Sequence, residues 1–313
     1  MGESPAMDLG RIKTYPLQLR KNLTTRADFV CDTKGIKPWG GRRFRALVRR
    51  VVKAATTGHD VLVHIGAHVI KTGQSLLLID LMEKGIITHL AMNGACAIHD
   101  FEMALIGETS EVVATTIENG SFGMAKETAA MINSAVNRTR LGFGHAVGQM
   151  IEKRRMRYRE YSLLAAAYRL KIPATVHVAI GTDIIHQHPS FDGAKTGAAT
   201  HKDFLRFCDT VTRLGSGCFL NIGSAVIGPE VFLKALSIAR NLGYAVHPIT
   251  TANFDVRRSL ADPFYRPIKN VVVRPVSLGG QGYNFVVDHR VSIPSLHRLA
   301  LDYLGAKQQR QNR

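Results

Sequence analysis

Short apolar runs rich in β-branched residues alternate along this chain with longer stretches in which apolar residues recur every three or four positions. The runs each end in a small or turn-forming residue: DVLVHIG (60–66), ITHLAMNG (87–94), ATVHVAIG (174–181), GCFLNIG (217–223), AVHPITTA (245–252) and NVVVRPV (270–276). They lack the apolar–polar alternation of a half-exposed sheet, so they read as strands covered on both faces. The intervening stretches carry helix boundaries. TGQSLLLIDLMEKG stops at Gly85, and THKDFLRFCDTVTRLG opens with Thr200 and Asp203 at capping-box spacing. GPEVFLKALSIARNLG puts Pro229 in its first turn and Gly243 just past its end.

Strands that alternate with helices predict an α/β fold: a mostly parallel sheet with helices on both faces. Ligands of such sheets sit at the carboxyl ends of the strands. The positions that matter most are therefore 66–68, 93–100, 181–188, 223–225 and 250–255. Region 110–170, rich in helix formers and arginine, reads as a helical layer on one side. With no internal repeat and no long linker, the expected organisation is an N-terminal arm and helix (1–55), a single domain (56–304) and a flexible polar tail (305–313).

The first strand end, HIGAHVIKTG (64–73), looks like a phosphate-binding loop. A Walker loop needs glycine immediately before its lysine so that backbone amides can curl around a phosphate. Ile70 stands there instead, and a β-branched residue resists the left-handed backbone such a nest uses. What remains is a strand, a glycine turn and a helix start.

Composition changes this picture little. Of the 313 residues, 45% are hydrophobic and 21% charged, ordinary globular values that allow a full core. No apolar run approaches the roughly 20 residues that span a bilayer, and no secretory signal is visible, so a cytoplasmic protein without a membrane partner is expected. The four cysteines form no C-x-x-C pair, which fits reduced thiols. Net charge of +17 is the one unusual total. It concentrates in GGRRFRALVRRVVK (40–53) and EKRRMRYREY (152–161), where Tyr158 and Tyr161 interleave with arginines. A nucleic-acid partner is left open by this pattern, but solvated helix faces are the preferred reading.

Candidate chemistry gathers at two strand ends. In NGACAIHDFE (93–102), His99, Asp100 and Glu102 follow a strand at the start of a helix, whose positive end favours carboxylates and keeps a nearby histidine neutral. Asp100 alone reads as a helix cap. In GTDIIHQHPSFDG (181–193), Asp183, His186, His188 and Asp192 cluster after another strand. They suit acid–base or amine-binding roles, with metal ligation by Asp183, His186 and His188 a weaker option and no metal expected. LGFGHAVG (141–148) lacks the preceding strand and the spacing of a dinucleotide fingerprint, and LGGQGY (278–283) follows a strand without a helical continuation. No G-x-S-x-G elbow is present.

Taken in order, these segments resemble the deoxyhypusine synthase-like family from about residue 60 to 304. The resemblance implies a Rossmann-like NAD-binding fold, with NAD as cofactor. GAHVIKTG is similar to the family's first NAD loop and places Ala67, His68 and Lys71 at cofactor contacts. NGACAIHD resembles G-A-N-L-V-E-D: Asn93 and Gly94 fall beside the cofactor, His99 stands at a catalytic glutamate's place, and Asp100 keeps an aspartate. GTDIIHQHP resembles G-D-M-I-F-F-H and carries a cofactor role to Asp183 and a substrate role to His188. NIGSAVIGPE, TTANFD and VDHRVSIP bring Gly223, Ser224, Thr251, Ala252 and Asp288 to cofactor positions. Pro229 replaces a catalytic histidine, and VRRSLADPFYRPIKN (256–270) lacks the family's lysine segment; Lys269, the nearest lysine, does not take over its role. True deoxyhypusine synthesis is therefore not expected. The resemblance implies an NAD-dependent enzyme acting on an amine or amino-acid-like substrate, with catalytic His99, Asp100 and His188; a histidine in place of a carboxylate weakens the hold on a polycation, so a substrate less cationic than spermidine, or even anionic, is expected. The alternative is a non-catalytic NAD- or RNA-binding protein that kept the fold. A homo-oligomer, tetramer or dimer, is implied by the resemblance alone.

Overall fold

The computed structural model describes residues 8–256 and 265–311. Among them the strands are β1 (Asn22–Thr25), β2 (Val61–Ile65), β3 (His89–Asn93), β4 (Glu108–Glu111), β5 (Ala174–His177), β6 (Cys218–Ile222), β7 (Ile249–Asp255) and β8 (Gly280–Val286). The helices are α1 (Arg42–Thr56), α2 (Ala67–Lys71), α3 (Ser75–Glu83), α4 (Gly94–Ile106), α5 (Val113–Thr116), α6 (Lys126–Arg138), α7 (Phe143–Lys153), α8 (Leu163–Leu170), α9 (Gly193–Thr212), α10 (Ile227–Asn241) and α11 (His289–Gln311).

Six strands make one parallel sheet in the order β5-β3-β2-β6-β7-β8, while β1 and β4 pair separately as an antiparallel ribbon. Renumbered within the sheet, the order is 3-2-1-4-5-6, that of dinucleotide-binding doubly wound folds. Its topological switch lies between β2 and β6. The expected α/β architecture is thus present, and its cause is visible in β2. Val61, Val63 and Ile65 enter the apolar core on one face with α1 and α3, whereas Leu62 enters the core on the other face with Phe207, Phe219 and Phe232. A strand sandwiched this way is apolar at nearly every position, here all but His64, which is why no alternation shows in the sequence.

Helix α1 buries Phe44, Leu47, Val48, Val51 and Val52, a stripe at helical spacing that joins the same core as the sheet. At the other end, α11 continues to Gln311, so the tail expected over 305–313 begins inside a helix.

Three local expectations are corrected. NVVVRPV is not a strand: residues Ile268–Val273 form a π-helical turn, and the sixth strand is Gly280–Val286, which overlaps LGGQGY (278–283) and is not among the expected strands. A parallel neighbour to β7 requires a crossover, and the β-branched run is spent on that crossover. The stretch after β8, which did not read as helical, is α11. Thr200 and Asp203 do not cap a helix, because α9 starts at Gly193 with Asp192 as its cap. They lie inside α9 and close the free edge of β5. Val176 N–H donates to Asp203 Oδ2 at 2.9 Å, and Val178 N–H donates to Thr200 Oγ1 at 3.1 Å. An edge strand covered in this way offers no ladder to another chain. The glycines of LGFGHAVG serve packing: a Cβ on Gly144 would lie 2.2 Å from the Ala174 carbonyl oxygen, and one on Gly148 2.3 Å from that of Leu164.

A polar row also crosses the sheet, unforeseen from sequence. His64, Asn221, Asn253 and Asn284 stand in register on neighbouring strands. Asn221 donates to Asn253 and Asn253 to Asn284, each at 2.8 Å.

Candidate functional site

The carboxyl ends of β3 and β5 open into a cavity of about 210 Å³ that includes Arg20, Lys71, His99, Glu102, Glu111 and Asp183. Three residues to which the sequence assigned cofactor or catalytic roles, Lys71, His99 and Asp183, meet there although 112 positions separate the first from the last. Each arrives by a different element. Lys71 ends the single-turn helix α2, His99 faces inward from the second turn of α4, and Asp183 precedes the short 3-10 turn Ile184–Gln187.

A hydrogen-bonded chain fixes His99. Arg20 grips Glu102 through two nitrogens at 2.9 and 2.6 Å, both groups buried. Thr109 donates its hydroxyl proton to Glu102 Oε2 at 2.6 Å, and its oxygen lies 2.7 Å from His99 Nδ1. A hydroxyl has one proton and a carboxylate has none to give. Thr109 must therefore accept from His99, which places the ring proton on Nδ1 and the free lone pair on Nε2. Burial, joined by the charges of Lys71 and Arg20 and opposed by Glu102, lowers the His99 pKa to about 4. At neutral pH the ring is an uncharged acceptor, as a general base must be.

Asp183 is the counterpart. Its Oδ2 is buried without a hydrogen-bond partner, and burial raises its pKa to about 6. It lies against the first residue of α4: a Cβ on Gly94 would stand 1.9 Å from Oδ2. Only glycine admits the carboxylate there, at the positive end of a 13-residue helix. His186 accepts the Gly181 and Asp183 amides on Nδ1, so its proton is on Nε2, 3.9 Å from Asp183 Oδ2.

The remaining candidates do not join this cavity. Asp100 is fully buried and points away, accepting from Ser162 Oγ and from the Leu163 and Leu164 amides. It caps the neighbouring helix α8 rather than its own, which Asn93 caps through Cys96 N–H. His188 turns to Ser190, with Nδ1 2.7 Å from the hydroxyl. His186 and His188 therefore do not converge, and among the described residues no group of three or more His, Cys, Asp or Glu is placed to hold a metal. Thr251 and Ala252 are buried in mid-strand, level with Phe219 and Leu220; β7 reaches the carboxyl edge only at Asp255. Asp288 pairs with Arg290 at 2.7 Å, which holds its carboxyl at about 2.

Ala67, His68, Gly223 and Ser224 do gather at the β2–β6 switch. Gly66 N–H donates to the Ile222 carbonyl at 2.8 Å, and a Cβ on Gly66 would lie 2.0 Å from the Gly223 carbonyl oxygen. Ser224 accepts the Gly228 amide near the start of α10. Gly223 has φ +72°, and the ring of His289 covers it, 5.9 Å from the exposed His68. His289 Nδ1 is buried and unpartnered.

With this geometry in view, the chain can be set beside known proteins. No protein-family model and no curated protein matches the sequence. Among solved structures, the ternary complex of AgrE with ornithine and NAD+ is 18% identical, covers 87% of this chain and 35% of AgrE, and has a TM-score of 0.53. A conserved putative LOR/SDH protein from Methanococcus maripaludis S2 is also 18% identical, covering 87% of this chain and 72% of that one, with a TM-score of 0.51. The chain shares their fold. It spans about a third of the length of AgrE. A putative deoxyhypusine synthase from Entamoeba histolytica is 7% identical over 85% of this chain and 97% of that one, and its TM-score of 0.48 carries no weight here.

Sequence reasoning missed Arg20 and Thr109. Neither carries a local signal, since Arg20 comes from the N-terminal arm and Thr109 from β4, and only the closed chain of hydrogen bonds reveals them. Glu102 is signalled with His99 by its place at a helix start after a strand; its position three residues on, on the same helix face, is what brings the two together.

Proposed function

We propose that the chain is an NAD-binding enzyme acting on a small amine or amino-acid-like substrate. The observation that carries this reading is the Glu102–Thr109–His99 chain, ending in the same cavity as the unpartnered Asp183 carboxylate. A neutral base and an unpaired carboxylate held 84 residues apart in sequence are what proton removal from a bound amine requires.

The switch point fits a dinucleotide with only part of the usual binding features. Glycine on both strands brings the two backbones into contact, and His68 stands exposed beside them. Ala67, His68, Gly223 and Ser224 would hold the cofactor. The three-glycine fingerprint is missing, and Asn93, spent on capping α4, stands where a ribose-binding acid is usual. The fold shared with an NAD+-bound AgrE structure supports the same reading.

NAD, when bound, supplies the hydride acceptor. Lys71 meets a substrate carboxylate while Asp183 meets its ammonium, so the mixed charge of the cavity suits an amino acid better than a polycation such as spermidine. The volume, below the range of drug-sized pockets, agrees. His99 Nε2 takes the proton, with Thr109 and Glu102 holding its tautomer and the buried Arg20 steadying Glu102. Pro229, buried in α10 at the place of the family's catalytic histidine, offers no group for deoxyhypusine chemistry. Lys269 lies in the π-helical turn, and residues 257–264 of the divergent lysine segment are outside the described residues.

Purified protein titrated with NAD, alone and with ornithine, lysine or spermidine, tests this. The expected result is saturable NAD binding, turnover with an amino acid, and a His99→Gln variant that keeps NAD binding but loses turnover. No NAD binding at millimolar cofactor, or robust spermidine oxidation, would overturn it.

A further inference from the structure

Two further cavities lie towards the amino edge of the sheet, and they differ in charge balance. The larger, about 510 Å³, borders α7, α8 and the start of β5. Its arginines are compensated: Arg169 lies 2.8 Å from Glu152, and Arg206 lies 3.7 Å from Asp203. The smaller, about 350 Å³, is formed by the end of α1 and the turns that lead into β6, β7 and β8. Arg50, Lys53, His59 and Ser216 line it, and no carboxylate does. Among the described residues neither Arg50 nor Lys53 forms an ion pair. Asp60, adjacent to His59 in sequence, faces elsewhere, 2.8 Å from Thr88 and 3.5 Å from Arg213.

This imbalance follows from the helix. The stripe of α1 that includes Val48, Val51 and Val52 faces the core, so Arg50 and Lys53, three residues apart, share the outward face. Helix α1 contains no acidic residue to offset them. Two unpaired cations on one concave wall repel each other, and a bound anion removes that repulsion.

We propose that this cavity binds the phosphate group of a small phosphorylated molecule. The planar guanidinium of Arg50 offers paired donors matched to phosphate oxygens, Lys53 supplies a second positive charge, and His59 and Ser216 complete the wall. The volume lies at the lower end of small-molecule sites. The site is separate from the His99 cavity and from the β2–β6 switch, which both lie at the opposite, carboxyl edge.

Calorimetric titration of the full chain with inorganic pyrophosphate and with AMP, at constant ionic strength, tests the assignment. Saturable binding by the wild type is expected, weakened at least about tenfold in an Arg50→Ala, Lys53→Ala variant. An Arg42→Ala, Arg43→Ala variant removes the same charge from exposed positions of the same helix and should bind as the wild type does. Equal loss in both variants would show a diffuse surface field and overturn the proposal, as would no saturable binding in the wild type. Displacement of pyrophosphate by single-stranded RNA in a strongly salt-dependent manner would replace it with a nucleic-acid surface. NAD affinity unchanged in the Arg50→Ala, Lys53→Ala variant supports two separate sites; parallel loss of NAD and pyrophosphate binding overturns that separation.

Discussion

The two halves of the sheet end differently at their carboxyl edge. Where β3 and β5 end, polar groups stay incompletely satisfied: Asp183 Oδ2 has no hydrogen-bond partner, and burial displaces the pKa values of both Asp183 and His99. Where β6, β7 and β8 end, the carboxylates are paired, although His289 Nδ1 and Asn221 Oδ1 lack partners. Ser224 caps α10, Asp255 accepts from Tyr265, Asp288 pairs with Arg290, and the asparagine row bonds to itself. A buried carboxylate without a partner costs stability, and a fold keeps such a group where binding or chemistry requires it. The first half is where proton transfer is expected; the second pairs its carboxylates and contributes Gly223 and Ser224 to the proposed cofactor site.

The largest effect on this contrast should come from the switch that joins the halves. Gly66→Ala forces a Cβ onto the Gly223 carbonyl, backbone against backbone, and should lower unfolding free energy by about 3 kcal/mol in urea denaturation. A near-neutral result would mean the two strand ends are not held as described. Next is Asp100→Asn. It replaces an acceptor that serves one hydroxyl and two amides, so a loss of about 2 kcal/mol is expected, without a selective loss of ligand binding.

Asp183→Asn should do the reverse. The native state holds the Asp183 proton up to about pH 6, whereas an unfolded aspartate releases it near 3.9. The native state therefore binds more protons across this window, and this site's contribution to stability declines as pH rises from about 4 to 6. The variant should be more stable than the wild type by about 1–2 kcal/mol at pH 8, with the gap closing below pH 4, while amine binding falls at least about tenfold. Equal stability of the two proteins across that pH range would remove the main reason for placing the site in the first half. The smallest effect is expected from Arg290→Ala, which breaks an exposed pair in the second half and should leave the melting temperature unchanged in a thermal scan.

Much of the fold was legible because a strand buried on both faces leaves a continuous apolar run, and five such runs became β2, β3, β5, β6 and β7. The sixth was lost because NVVVRPV and GQGYNFV have comparable β propensity, and only pairing with β7 decides which one enters the sheet. Part of the site was legible for a related reason. Lys71, His99 and Asp183 each follow a strand closely, and the strand-end rule finds such residues one at a time. The same rule also selected Asp100 and His188, which stand just as near to strand ends but point elsewhere. One residue along α4 turns a side chain by about 100°, enough to send Asp100 to α8 while His99 enters the cavity.

The sequence by itself determined that this chain is a parallel α/β protein with its polar chemistry at strand ends, because periodicity and turn residues are local properties. Tertiary structure alone decided which of those ends form a site. The proton position on His99 depends on a threonine from β4, that threonine on Glu102, and Glu102 on an arginine from the N-terminal arm. The exposure of Asp183 to the cavity depends on a glycine 89 residues earlier. Hydrogen bonds and close contacts between residues so far apart leave no periodic trace in the chain, so only the folded arrangement specifies them.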